Sequence, residues 1–109
     1  MSVSVVFLRS AEHDLKELKS YIVKNFGADT WRASYRKIQE SVSTIQAFPL
    51  NGKIPEELEN LNLTQYRQVI SGMNRIVYEI RQQTIYIHIV CDTRRDMKFL
   101  LVKRLLRVN

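Results

Sequence analysis

Few side chains in this sequence can move a proton or hold a metal. The histidines are His13 and His88. They stand at no helical ligand spacing from each other and in no H-E-x-x-H arrangement, so no metal site is expected. His88 falls mid-strand beside Tyr86 and Val90, the place of a packed or hydrogen-bonded histidine, and His13 faces outward by its helical spacing. Cys91, the single cysteine, lies inside an apolar run; this excludes an internal disulfide and a cysteine cluster and reads as a small buried side chain. Ser71, Cys91 and Asp92 have no nucleophile elbow around them. Gly27, Gly52 and Gly72 are too scattered to cradle a phosphate, and no cofactor is expected.

Arginine is the remaining chemistry. Arg75, Arg94 and Arg95, with Arg67 and Arg81 behind them, are expected at one end of a sheet, where guanidinium forks suit phosphate binding or a pentavalent phosphorus. The alternative is a set of surface arginines in ordinary ion pairs, Arg95 with Asp96 or Arg81 with Glu79. Residues 94–109 hold six basic residues against Asp96 alone, a net +5 out of the chain's +6. So basic a segment seeks an anion: nucleic acid, an acidic protein or, as the weakest option, a membrane surface.

The elements that must position these groups follow from periodicity. Val3, Val5 and Phe7 in a β-branched stretch predict a strand over about 2–8 with both faces buried. Ser10 is a candidate N-cap for a helix with Ala11, Leu15, Leu18, Ile22 and Phe26 on one face, ending near Gly27. Asp29 or Thr30 is the candidate cap of a second helix, with Trp31, Tyr35, Ile38, Val42 and Ile45 as its stripe and Pro49 as its stop; the two form an antiparallel hairpin. The stretch 51–64, with Glu56, Glu57 and Glu59, reads as an acidic loop with one short turn. Three strands over 65–71, 75–81 and 85–92 form an antiparallel meander, and a helix over about 95–107 ends the chain. The order is β-α-α-β-β-β-α, an α+β fold with a helical hairpin packed on an antiparallel sheet. Ile76, Tyr78 and Ile80 share one sheet face; Arg75, Val77, Glu79 and Arg81 share the other, which is left for the last helix, a partner or a substrate.

The 109 residues suit one domain, 1–109, and 45% hydrophobic with 26% charged residues is an ordinary globular balance. The first residues lack a basic leader pattern, and no apolar run approaches the roughly 18 residues of a spanning helix. A reducing cytoplasm, with no membrane partner, is the expectation.

Three segments in this order resemble the ParE/RelE toxin superfamily across nearly the whole chain. Phe7-Leu8-Arg9-Ser10-Ala11-Glu12-His13-Asp14-Leu15 is similar to the family's first strand running into "A-x-x-D-L". Asn74-Arg75-Ile76-Val77-Tyr78-Glu79-Ile80 resembles its central "Y-R-I-x-Y-x-I" strand. Ile87 to Asp96, ending Thr93-Arg94-Arg95-Asp96, resembles the last strand and its "H-x-R-R-D" element, followed by Leu100-Leu101 and Arg104-Leu105-Leu106.

The resemblance implies one of two activities. Ribonuclease members cut messenger RNA in the ribosomal A site with sheet lysines and arginines and a C-terminal tyrosine or histidine; Arg75 and Arg94 match two of those arginines. Leu100 stands about where the tyrosine would be, Phe99 cannot transfer a proton, Arg67 replaces one lysine and Val69 stands at the other's place. Members of the ParE branch poison DNA gyrase without cutting nucleic acid, and the Arg-Arg-Asp element with the leucine- and arginine-rich end resembles them. The implied reading is a non-enzymatic toxin that serves plasmid or prophage stabilisation. Arg75, Arg94, Arg95, Lys98, Lys103 and Arg104 would meet gyrase or its bound DNA. An acidic antitoxin from the same operon would be met by Trp31, Tyr35, Leu100 and Leu101. A ribosome-dependent endoribonuclease is the alternative, and a non-toxic nucleic-acid or protein binding module the third reading.

Overall fold

A computed structural model describes residues 3–93 together with Leu100, Lys103 and Arg104. Strand β1 (Ser4–Phe7) leads into helices α1 (Arg9–Phe26) and α2 (Ala28–Ala47). A 3-10 turn (Pro49–Asn51), the short helix α3 (Glu56–Glu59) and strands β2 (Tyr66–Ser71), β3 (Asn74–Arg81) and β4 (Thr84–Asp92) follow. The sheet order is β1-β4-β3-β2. The meander is antiparallel, as its alternation predicts, whereas β1 joins β4 in parallel, so the sheet as a whole is mixed. The helical hairpin between β1 and the meander is the crossover that a parallel pairing requires. Leu100, Lys103 and Arg104 are helical, and the rest of the expected last helix lies outside the described residues.

The hairpin turns on a single residue. Gly27 has φ +94, and its N–H closes α1 on the carbonyls of Ile22 and Val23, both at 3.1 Å. That backbone region favours glycine, and Gly27 precedes α2 directly. The expected caps are therefore overturned. α1 begins one residue before Ser10, whose hydroxyl donates to the His88 carbonyl (3.5 Å); Thr30 donates back to Phe26, and Asp29 pairs with Arg32.

Each sheet face carries its own core. On the helix side Ile76, Tyr78, Ile85, Ile87 and Val90 pack with Ala11, Ile38 and Ile45. Each such aliphatic side chain contributes about 1.5–3 kcal/mol on burial. On the other side Val77, Ile89, Cys91 and Tyr66 gather around Leu58, which the acidic segment brings over as α3, with Leu63 and Leu100 at the margin. Alternation in β3 thus separates the faces as expected. β1 differs from expectation: Val6 is 41% exposed, because an edge strand has its outer face uncovered.

Tyr78 fastens the link between the layers. Its hydroxyl donates to the Pro49 carbonyl (2.6 Å) and accepts from the Gly52 N–H (3.1 Å), while Arg67 donates to the Leu50 and Gly52 carbonyls at 3.2 and 2.8 Å. A Cβ at Gly52 would fall on the Tyr78 hydroxyl and within 2.9 Å of the Gln68 carbonyl. Tyr78→Phe leaves Gly52 N–H and Pro49 C=O without their side-chain partner and is expected to cost about 1–3 kcal/mol. Chemical denaturation at constant m-value measures it, and an unchanged midpoint would refute the tether.

Candidate functional site

One irregularity in β4 organises the chemistry around the sheet. The register with β3 passes from Val77 opposite Ile89 to Tyr78 opposite Ile87, so His88 is the extra residue of a bulge. β1 pairs with β4 only as far as Ile87. Beyond it, the Val90 N–H donates to the Asp14 carboxylate (3.1 Å), and the His88 carbonyl accepts from Arg104 (3.1 Å). Asp14 and Arg104 also bind each other through two parallel N–H···O contacts of 3.0 Å, with side chains 14% and 18% exposed. The fork–fork geometry fixes orientation as well as charge.

On the sheet face away from the hairpin, the His88 ring meets Glu79 at 2.9 Å and the edge of the Tyr66 ring at 5.2 Å between centroids. The other Glu79 oxygen holds Arg81 at 3.0 Å, and Arg81 also lies over the Tyr86 ring. Burial pushes the His88 imidazole below its ordinary value of 6.5, against the opposing pull of Glu79; burial, and then Glu79, push the Tyr66 hydroxyl up. The hydrogen-bonded reading of His88 holds, as does the Arg81–Glu79 pair. His13 is exposed and paired with Glu17 one turn on.

The expected convergence of arginines does not form among the described residues. Arg67 lies on the helix side, tied to the 50–52 carbonyls. Arg75 and Arg81 are six residues apart along β3, roughly 20 Å at ~3.3 Å per residue. Arg75, 17% exposed, donates to Gln68 (3.1 Å) and Glu57 (3.4 Å), and its Nε is buried with no partner among the described residues. Arg94, Arg95, Lys98 and Leu101 lie outside the described residues. Lys103 is exposed at the rim of a cleft between α1 and β4, whereas Leu100 is seated against the second core. Trp31 and Tyr35 stack at 5.3 Å on α2, with Tyr35 39% exposed.

Asp14 and Glu57 were given no role from the sequence and Glu79 only its pair with Arg81, although Asp14 and Glu79 carry a signal. Asp14 falls at stripe spacing from Ala11 and Leu18, and Glu79 shares a face with Val77; a carboxylate at an apolar position calls for a buried partner. Among the described residues no group of His, Cys, Asp or Glu gathers to hold a metal, and no helix is long and apolar enough to cross a membrane.

This architecture is shared with the toxins of type II toxin–antitoxin systems. The structure of a chromosomal ParDE toxin–antitoxin system from P. aeruginosa aligns with a TM-score of 0.69 at 18% identity, covering 84% of this chain and 96% of that one. The toxin–antitoxin complex RelBE2 from Mycobacterium tuberculosis aligns at 0.59 and 20% identity, covering 84% and 99%. No curated protein sequence matches the chain. The family model for the ParE toxin of the type II toxin–antitoxin system parDE matches residues 5–97, and the chain belongs to that family.

The His88 environment makes stability depend on pH. Its folded-state affinity for a proton is below that of the unfolded chain, so this contribution is fully present above about pH 6.5 and is lost as pH falls through the lowered folded value. Urea unfolding at about pH 7.5 and 5.5 is expected to show a smaller acid loss for His88→Gln than for the parent chain. Equal losses would show that His88 is not the group responsible.

Proposed function

We propose that this chain is the toxin of a two-component pair, acting in the cytoplasm by binding DNA gyrase and blocking DNA replication, and silenced by a cognate antitoxin. The observation that carries the choice of target is the state of Arg75. A ribonuclease would need that guanidinium open to a phosphate with a proton donor at hand. Here it is largely buried, its Nη1 donates to Gln68 and Glu57 beneath α3, and a carboxylate beside it repels a second anion. Binding a target asks less: positive charge, of which the sequence 94–109 carries a net +5, suffices to approach gyrase and its DNA.

A ribosome-dependent endoribonuclease is the second reading, and one observation favours it. His88, Glu79 and Tyr66 are titratable groups gathered on one sheet face, although the His88 Nε2 is already engaged by Glu79. Purified protein added to gyrase is expected to abolish supercoiling and accumulate cleaved DNA while leaving ribosome-bound messenger RNA intact. Codon-positioned cuts with gyrase untouched would overturn the first reading in favour of the second.

The antitoxin is expected to cover the stack of half-buried Trp31 and exposed Tyr35 on α2. Truncating an aromatic anchor at the centre of an interface costs about 2 kcal/mol or more, roughly thirtyfold in affinity. Tyr35→Ala is therefore expected to weaken antitoxin binding by at least tenfold in calorimetry; unchanged affinity would place the interface elsewhere.

A further inference from the structure

We propose that Arg104 is a positioning residue rather than a target contact: clamped between Asp14 and the His88 carbonyl, it fixes where the basic C-terminal sequence stands on the toxin. The inference rests on the reading of the chain as a toxin that acts through that sequence.

A guanidinium that meets a phosphate or an acidic target must be free to do so, and this one is not. Both its terminal nitrogens are bonded to the Asp14 carboxylate at 3.0 Å, one of them also to the His88 carbonyl at 3.1 Å, and the pair is largely buried. Asp14 in turn accepts from the Val90 N–H, so the carboxylate has an anchor on β4 besides Arg104. The clamp spans 90 residues of sequence, joining the first turns of α1 to the end of the chain. Four positions earlier Leu100 is seated against Leu58 and its neighbours on the second sheet face. Two anchors of different kind, one apolar at Leu100 and one ionic at Arg104, thus hold the chain four residues apart, and Lys103 beside the second stays exposed. Holding the basic sequence in one place removes an entropic cost of target binding in advance.

Positioning and direct contact make opposite forecasts for Asp14. Asp14→Asn removes a negative charge, so electrostatics alone would leave binding to an anionic target equal or tighter. If the clamp positions the segment, the same change must weaken the toxin.

The experiment compares the parent chain with Asp14→Asn, Arg104→Lys and Lys103→Ala in two assays: trypsin cleavage after residue 93, and growth arrest on expression without antitoxin, with gyrase supercoiling alongside. Arg104→Lys keeps the charge and loses the fork, and cooperative thermal melting confirms that each variant folds. Both clamp variants are expected to be cut at least tenfold faster beyond Thr93, with cleavage inside 3–93 unchanged, and to lose growth arrest by a similar factor. Lys103→Ala is expected to keep the parent's rate of cleavage at the remaining sites. Unaltered cleavage in both clamp variants would overturn the clamp. Faster cleavage with full growth arrest would overturn its role in positioning. Clamp variants that lose growth arrest while the parent leaves gyrase untouched would uphold the inference and remove the gyrase reading instead.

Discussion

The backbone of β4 is hydrogen-bonded by strands on both sides only as far as Ile87. Past that point β1 has ended, the bulge at His88 has shifted the register, and peptide groups near the middle of the molecule face no neighbouring strand. A buried peptide group left unpaired costs about as much as a lost hydrogen bond or more, so such groups must be met by something. Asp14 meets the Val90 N–H and Arg104 meets the His88 carbonyl. The two side chains replace a missing strand, and because they carry opposite charges they neutralise each other while doing so. Removing either would leave the other as an uncompensated charge in a largely buried place, where breaking a pair costs far more than forming one gains. This constraint ties Asp14 of α1 and Arg104 to the same stretch of β4.

The bulge has a second consequence on the opposite face. It turns His88 toward Glu79 and Tyr66, so a strand whose neighbours are isoleucines carries a polar cluster in its middle. Glu79 is tolerated there because each of its oxygens has a cationic or hydrogen-bonding partner, Arg81 on one and His88 on the other. Further along the same face, Leu58 brings Glu57 over Arg75. Both arginines of β3 are thus answered by carboxylates from the chain itself.

Much of this was legible in the residues. Period-four apolar spacing and the Gly27 break define the hairpin, and alternation in β3 with glycine-bearing or polar turns defines the meander and its two faces. The resemblance carried by Ala11 to Leu15, Asn74 to Ile80 and Ile87 to Asp96 identified the superfamily. Cap choice was misread, since Ser10, Asp29 and Thr30 all have suitable side chains, and which residue caps depends on where the chain must turn rather than on the side chain alone. The grouping of arginines among the described residues differs as well: paired residues share a face, and the register that sets Arg67 opposite Tyr78 puts Arg67 and Arg75 on opposite faces of one meander.

The sequence by itself determined the elements, their order, the two-faced sheet and the concentration of positive charge at the end of the chain, because each is written in local spacing or in composition. Only the tertiary structure decided the parallel pairing of β1 with β4, the bulge at His88, the closure of α3 over Arg75 and the grip of Asp14 on Arg104. These depend on partners up to 90 residues apart, and a charged side chain's partner is set by which backbone groups the fold leaves unpaired, a quantity no local pattern contains.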